Sequence, residues 1–360
     1  MTVQSPISIV LCGDTLPVRP VTGLPASAQE VFAIAAGADL SIGNFEIPLT
    51  DRGQPVEKLL NIRTSPDVAD STPALGLKVV TIANNHAVDY GREGLEDTER
   101  LLRQAGLDVI GAGTDRARAA RLTVHRVGGV RVGIIAFSTL TPTGMAASDL
   151  RGGISGLHVE TGYEIDPWYQ QEEPGDPSVV KIRTRIRAED LTWAQDRVRA
   201  ARADCDVLIV TLHWGFGSGE DLAEYQRPLA EAMIDAGADV IHGHHPHAIH
   251  AIGFHAGKPI LFSAGTYLGQ QVLLPASDAV RTLWAGMSPD GFVTRLDVDP
   301  VTRRLAQIEI IATTLDADQL PRRTTAPEEA AILSRIERLS RPHGAQLKQD
   351  AGRVFVLPLA

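Results

Sequence analysis

A cluster of histidines places the strongest constraint on what this chain can fold into. Six of the eleven histidines lie between positions 242 and 255, and the densest part, Val240 to His250, reads VIHGHHPHAIH. In an extended segment after a glycine-containing turn, residues i and i+2 point to one side. His245 and His247 can then bind one metal ion or two adjacent ions. Taken alone, the pattern is equally typical of a surface histidine tract.

Polar residues follow other apolar segments in the same way. Four segments read as buried strands: Ile7 to Cys12, Leu40 to Gly43, Val79 to Ala83 and Val207 to Leu212. In layered α/β folds, ligand and catalytic groups collect beyond the carboxyl ends of the strands. We therefore expect one pocket that contains Asp14, Glu46, Asn85, His86, His213, His245 and His247. Each residue also has a structural alternative, such as a turn cap for Asp14 or a core position for His213.

The remaining patterns predict how the chain is divided. Apolar spacing predicts helices at Gly91 to Ala105, Ala188 to Ala203 and Asp221 to Ala236. After the histidines the chain is rich in strand patterns, which favours two sheets with helices outside. We expect residues 1–320 to form one catalytic domain. Residues 321–360 are charged, with one helix at Pro327 to Leu339, and are predicted to be a peripheral C-terminal tail.

One long segment lacks a sustained period. Residues 139–180 contain glycines, prolines and acidic residues, together with Trp168 and Tyr169. Loops of this length inside a domain are usually functional or disordered. The aromatic residues favour an ordered lid that binds substrate through Trp168 and Tyr169, and disorder is the alternative.

Composition excludes some classes of partner. The chain has 34 basic and 44 acidic residues, a formal net charge of -10, which argues against nucleic acid or an anionic membrane as the main partner. Cys12 and Cys205 are the only cysteines, so a disulfide framework and a cysteine zinc site are excluded. The first residues resemble neither a signal peptide nor a membrane span, so we expect a cytoplasmic protein. Homo-oligomerisation stays open.

Seven motifs carry a resemblance to a known family. They are GDT at 13–15, GNFEIPLT at 43–50, ANNHAVDYGREGLEDT at 83–98, GAGTD at 111–115, TLHWG at 211–215, DAGADVIHGHHPH at 235–247 and FSAGTYL at 262–268. In this order and spacing the chain resembles the CapA family, named for capsule poly-gamma-glutamate synthesis. That family looks like a branch of the calcineurin-like metallophosphoesterases. The resemblance implies a four-layer α/β/β/α sandwich with a long inserted loop.

The resemblance also implies a metal site. Asp14 and His247 would hold one ion, Asn85, His213 and His245 a second, and Glu46 would bridge them. The ions would be Mn, Fe, Zn or Mg, in one or two copies or none at rest. The implied catalytic residues are His86 as acid or base, Asp14 and His213.

Two departures from the phosphoesterase pattern affect the predicted reaction. Leu16 stands where that pattern has a histidine, and Glu46 replaces an aspartate. A soluble branch resembles the lasso-peptide epimerases, so we expect a peptide-modifying isomerase that deprotonates and reprotonates an α-carbon of a precursor peptide. The alternatives are a metal-dependent hydrolase of phosphoester, peptide or glutamyl bonds, and a non-catalytic peptide-binding module.

Overall fold

The computed structural model describes residues 5–359, so the first four residues of the predicted domain and the last residue of the predicted tail lie outside the described residues. The strands are β1 (Ile7–Thr15), β2 (Leu40–Phe45), β3 (Val79–Thr81), β4 (Asp108–Ile110), β5 (Ala112–Gly113), β6 (Thr123–Val127), β7 (Val130–Ser138), β8 (Gly153–Ile154), β9 (Val159–Ile165), β10 (Val180–Ile186), β11 (Val207–His213), β12 (Val240–His244), β13 (Ile252–His255), β14 (Lys258–Leu261), β15 (Thr266–Leu268), β16 (Asp290–Asp299), β17 (Arg304–Leu315), β18 (Pro321–Arg323), β19 (Ala345–Asp350) and β20 (Arg353–Pro358). The helices are α1 (Ala26–Ala36), α2 (Gly91–Gln104), α3 (Arg116–Ala119), α4 (Pro167–Glu172), α5 (Ala188–Arg202), α6 (Gln226–Asp235), α7 (Asp278–Ala285) and α8 (Ala326–Ser340). Short 3₁₀ helices occupy Pro66–Leu75, Pro177–Val179, Gln270–Leu273 and Arg341–His343.

Two large sheets form the centre of the fold. The ten-stranded sheet has the order β19-β20-β17-β16-β1-β2-β3-β4, with β15 beside β1 and β18 beside β17. The six-stranded sheet has the order β13-β14-β12-β11-β7-β6. Strands β1 to β4 run parallel to one another, as do β7, β11, β12 and β14. Each parallel set therefore presents the carboxyl ends of its strands at one edge.

The strands alternate their side chains between two apolar layers, which explains the sandwich. Ile9 of β1 and Ile209 of β11 belong to the core between the sheets. On the outer face of the ten-stranded sheet, Val10 packs with Phe32 of α1. On the outer face of the six-stranded sheet, Val210 packs near α5 and α6. The expected four-layer α/β/β/α arrangement is confirmed.

Most predicted elements form where the apolar spacing placed them, with one shifted boundary. The helix expected at Asp221 to Ala236 begins only at Gln226. The Gln226 side chain accepts a hydrogen bond from the Ala223 amide (2.7 Å), and this turn precedes the helix. Within residues 5–359, no helix combines the length and apolar character that crossing a bilayer requires.

The prediction of a peripheral C-terminal tail is wrong. Strands β18, β19 and β20 extend the ten-stranded sheet through β17, and α8 lies against the same core. Ile332, Ile336 and Val356 are buried there. The charged composition misled the prediction because α8 is amphipathic: its charged face is exposed while its apolar stripe is covered.

Replacing Ile336 by alanine should therefore destabilise the whole protein. The side chain is fully buried, and truncating such an isoleucine costs about 2–5 kcal/mol. Thermal unfolding followed by circular dichroism measures the loss. Ser334→Ala, an exposed position on the same helix, is the matched control and should change little. An unchanged midpoint for Ile336→Ala would instead support the prediction of a peripheral tail.

Candidate metal centre

Strand ends from both sheets meet at one place and carry the predicted ligands there. Asp14 lies near the end of β1, and Glu46 directly follows β2. His213 is the last residue of β11, and His245 directly follows β12. The backbone amide of His245 donates a hydrogen bond to Asp14 Oδ2 (3.1 Å). This bond joins the edges of the two sheets at the candidate site.

One group of potential ligands consists of Asp14, Glu46 and His247. Each offers one ligand atom, and these atoms lie within 4.8 Å of one another. His247 Nδ1 is 3.3 Å from Asp14 Oδ2, and His247 Nε2 is 3.7 Å from Glu46 Oε1. Catalytic metal sites commonly use three protein ligands and leave one position open for water or substrate. This group has that number of donors.

A second group consists of Glu46, His213 and His245, whose ligand atoms also lie within 4.8 Å of one another. His213 Nε2 is 3.4 Å from Glu46 Oε1 and 2.9 Å from Asn85 Oδ1. The rings of His213 and His245 are 4.9 Å apart between centroids. Asn85 therefore supplies a fourth donor beside this group. Glu46 belongs to both groups.

The donor atoms themselves indicate that a cation fits. Glu46 Oε1 is buried and has no hydrogen-bond partner, and the same holds for His245 Nδ1. A buried polar atom without a partner is costly and needs an explanation, such as an ion. Carboxylate, amide and imidazole donors together suit Mn, Fe, Zn or Mg. The residues present thus fit a divalent cation at each group.

The electrostatics of the two carboxylates point the same way. Burial raises the pKa of Glu46 well above its ordinary value, and the adjacent Asp14 raises it further. Burial would also raise the pKa of Asp14, but its hydrogen bond to His247 and the nearby imidazoles hold it below normal. Two carboxylates this close cannot both ionise without compensating charge. A divalent cation would supply that charge and release the proton from Glu46.

The imidazoles are prepared to donate lone pairs. Burial lowers the pKa of His245 to about 3, with a further contribution from His247. Burial also places the pKa of His213 well below its ordinary value, with His245 adding to the effect. Both rings are therefore neutral near pH 7, which is the form that binds metal.

Two asparagines that the sequence interpretation gave no role hold the ligands in place. Asn44 Nδ2 lies 2.8 Å from Asp14 Oδ1, 3.1 Å from Glu46 Oε2 and 3.2 Å from His213 Nδ1. Asn84 Nδ2 in turn donates to Asn44 Oδ1 (3.0 Å). Their place in the sequence could have identified them, because Asn44 and Asn84 directly follow two predicted strands and stand beside predicted ligands.

His86 lies beside the centre and has two partners that sequence reasoning missed. Its Nδ1 is 2.8 Å from Asp89 Oδ2. Lys58 binds the other oxygen of Asp89 and donates to the backbone carbonyl of Asn85 (2.7 Å). Burial lowers the pKa of His86, partly opposed by Asp89. The Asp89 carboxylate accepts from Nδ1–H, so the imidazole keeps Nε2 as a proton acceptor.

The histidine cluster divides into two sets. His242 and His244 lie on β12 and are fully buried, with ring centroids 4.1 Å apart. Their ring nitrogens make no hydrogen bonds of normal geometry, although the Cys12 carbonyl is close. His245 and His247 are the two that reach the ligand groups.

The predicted reason for the pairing of His245 and His247 is wrong. They do not lie on an extended segment, because their φ angles are 105° and 48°. Positive φ is strained for a residue with a side chain, and such strain clusters at functional sites. The turn that they form brings both rings to the strand edge.

The lid prediction for residues 139–180 is not supported by the geometry. Its second half forms a separate two-stranded hairpin of β9 and β10 that carries α4 at its tip. Trp168 is 79% exposed, and the Tyr169 hydroxyl contacts Glu173 and Asp176 within the hairpin. Neither aromatic ring lines the cleft beside His86. Pro142, from the first half of residues 139–180, does line it. Acidic residues and local turns hold these aromatic residues within the hairpin.

Comparisons with known proteins identify a family for this chain. The family model described as Bacterial capsule synthesis protein PGA_cap matches residues 8–271. The PGA biosynthesis protein CapA of Bacillus subtilis is 29% identical over 69% of this chain and 58% of its own length. The capsule biosynthesis protein CapA of Bacillus anthracis is 26% identical over 82% of this chain and 66% of its own length. The chain thus spans less than two thirds of either relative.

A solved structure of a hypothetical protein from Thermus thermophilus matches 85% of this chain and 98% of its own, with a TM-score of 0.49 and 15% identity. The family match covers the part of the chain that contains both ligand groups.

Proposed function

Because the chain belongs to the bacterial capsule synthesis protein family PGA_cap, we propose that it is a metal-dependent hydrolase that cleaves an amide bond in a peptide-like substrate. The observation that carries this proposal is the position of Glu46. Its carboxylate belongs to both ligand groups, and its Oε1 has no other partner. Two cations held side by side are a recurrent arrangement for hydrolysis, and a carboxylate common to both ligand groups would hold them in this way.

The proposed chemistry divides between the cations and the protein. A divalent cation bound here supplies Lewis acidity, which polarises a substrate carbonyl and makes water a nucleophile near neutral pH. His86 accepts the proton of the attacking water at Nε2 and passes it to the leaving nitrogen as the C–N bond breaks. Asp89 and Lys58 hold the imidazole in the required orientation.

The geometry weakens the argument for α-carbon epimerisation. That expectation rested partly on Leu16, which removes one imidazole, but Asp14, Glu46 and His247 remain as three donors. Inversion also needs an acid or base on each face of the α-carbon. Apart from His86 and Lys58, the titratable residues that line the cleft are His245 and His247, and both belong to the ligand groups.

The cleft also favours an uncharged bond over a phosphate ester. Among its lining residues Lys58 is the only lysine or arginine, and its ammonium group is already bound to Asp89. Beyond the charge of bound cations, the cleft therefore adds no free cationic side chain that would favour a phosphomonoester, which carries up to two negative charges. An amide carbonyl needs only polarisation, which a divalent cation at the ligand groups would provide.

Isotope labelling tests the proposed reaction. The protein is stripped with EDTA, reloaded with Mn²⁺, Zn²⁺ or Mg²⁺, and incubated with N-acetyl-leucine p-nitroanilide and p-nitrophenyl phosphate. We expect p-nitroaniline release, with ¹⁸O from labelled water in the N-acetyl-leucine, lost on chelation and restored by metal. Deuterium at the α-carbon without cleavage would contradict hydrolysis and support epimerisation. Faster cleavage of the phosphate would contradict the amide assignment.

A further inference from the structure

The cleft beside the candidate metal centre has an apolar lining that the proposed reaction does not need. It has a volume of about 260 Å³, and Asn85, His86, His245 and His247 contribute to it. The other lining side chains are mostly hydrocarbon: Leu16, Leu59, Ile62, Leu283, Trp284 and Met287. A concave apolar surface next to a few polar groups is the usual form of a small-ligand site.

This lining comes from separate segments of the chain. Leu59 and Ile62 belong to the segment between β2 and the 3₁₀ helix at Pro66–Leu75, whereas Leu283 and Trp284 lie on α7. Leu59 is 76% exposed and Leu283 is 41% exposed. Two exposed leucines from distant segments that line one cleft mark a binding surface more strongly than scattered apolar residues would.

Leu16 extends the apolar lining to the ligands themselves. It lies two residues after Asp14, is 1% exposed, and lines the same cleft as His247. Its backbone amide donates to the Leu268 carbonyl (2.8 Å), which fixes its position beside the site. A substrate whose reacting bond reaches the ligand groups must therefore place the part of the molecule next to that bond near the apolar side chain of Leu16.

The charges of the cleft do not match an acidic polymer. Lys58 contacts Asp89 and the Asn85 carbonyl, and its Nζ lies 3.3 Å from His86 Nδ1. Its positive charge is thus already compensated within the protein. A glutamate side chain bound against this lining would lose water without gaining a free cationic side chain as partner, which is costly.

From this lining we infer that the substrate carries an apolar side chain of the leucine or phenylalanine type next to the reacting bond, and that Leu16, Leu283 and Trp284 select it over an acidic one. The inference rests on the proposed function in placing the reacting bond at the ligand groups. It goes beyond that function by naming the substrate class. One methylene in an apolar pocket typically changes selectivity about 10–200-fold.

Binding to the metal-free protein tests this inference separately from catalysis. The four tryptophans are labelled with ¹⁵N, and the indole resonance of Trp284 is assigned with Trp284→Phe. N-acetyl amides of leucine, phenylalanine, glycine and glutamate serve as probes. We expect the leucine and phenylalanine amides to shift the Trp284 resonance and to bind about tenfold or more tightly than the other two.

Two matched variants show whether the cleft is responsible. Leu283→Asp adds a charge at a partly exposed position of the cleft and should remove most of the preference for the leucine amide over the neutral glycine amide. Leu150→Asp adds the same charge at a leucine that is 98% exposed and does not line the cleft, and should leave the preference unchanged. Trp168→Ala should likewise have no effect.

The outcomes distinguish this inference from the proposed function. Preferential binding of the leucine amide without any metal-dependent cleavage supports the apolar subsite and overturns the hydrolase. Cleavage with equal rates and affinities for leucine and glutamate probes overturns the subsite and leaves the hydrolase. An unchanged preference in Leu283→Asp would also overturn the subsite.

Discussion

Replacing Glu46 by glutamine is expected to abolish the binding of two cations and to reduce metal-dependent hydrolysis to background. The amide keeps the size of the side chain but removes the charge that both ligand groups share. Mutating partners that only orient a metal ligand typically costs 10–100-fold, so losing the shared ligand should cost more than about 10²-fold. Metal analysis after gel filtration, together with the amide assay, measures both effects.

A folding control separates this effect from simple misfolding. In the metal-free protein the raised pKa of Glu46 keeps it protonated above the pH at which it ionises in the unfolded chain. Between these two pKa values the folded chain keeps a proton that the unfolded chain has lost. The free energy of unfolding of the metal-free protein therefore falls as pH rises from the unfolded pKa of Glu46 to its folded pKa. Metal-free Glu46→Gln should therefore melt no lower than metal-free wild type at pH 7. Full metal content and activity in this variant would contradict a shared ligand.

Replacing His86 by alanine should remove catalysis while leaving metal binding intact. A positioned acid or base contributes about 10²–10⁴-fold to rate, and His86 touches neither ligand group directly among the contacts described. We expect kcat to fall by that factor with KM nearly unchanged, because the lost interaction acts mainly in the transition state. Steady-state kinetics of the metal-loaded variant measures this result.

The matched control is His255→Ala, another member of the histidine cluster. His255 Nε2 is 2.8 Å from Asp235 Oδ1, and the residue does not line the cleft. Its removal should leave kcat unchanged. Equal losses in both variants, or wild-type turnover in His86→Ala, would show that His86 does not transfer the proton.

The convergence of the ligands could be predicted from the sequence because it depends on a regular feature of the fold. Parallel strands end at the same edge, so Asp14, Glu46 and His213 were expected to meet from local patterns alone. The same reasoning could not explain the turn at His245, because positive φ is not visible in a pattern of apolar residues. The pair was predicted correctly for the wrong geometric reason.

Contacts between distant segments could not be predicted in the same way. Lys58 reaches Asp89 only because the segment after β2 folds back over the end of β3. The apolar cleft is lined by both Leu59 and Leu283, which are more than two hundred residues apart in the sequence. Trp168 appeared more promising than Trp284 because it has aromatic and acidic neighbours in sequence, although only Trp284 lines the cleft.

Electron paramagnetic resonance of the Mn²⁺-loaded protein tests most directly whether Glu46 unites two cations. The chain is stripped with EDTA and titrated with Mn²⁺, and the bound ions are counted alongside the spectrum. Two Mn²⁺ per chain with an exchange-coupled spectrum, lost in Glu46→Gln, is the predicted result. Binding of one ion or none, or of two ions that give only uncoupled six-line spectra, would contradict a shared centre at Asp14, Glu46, His213, His245 and His247.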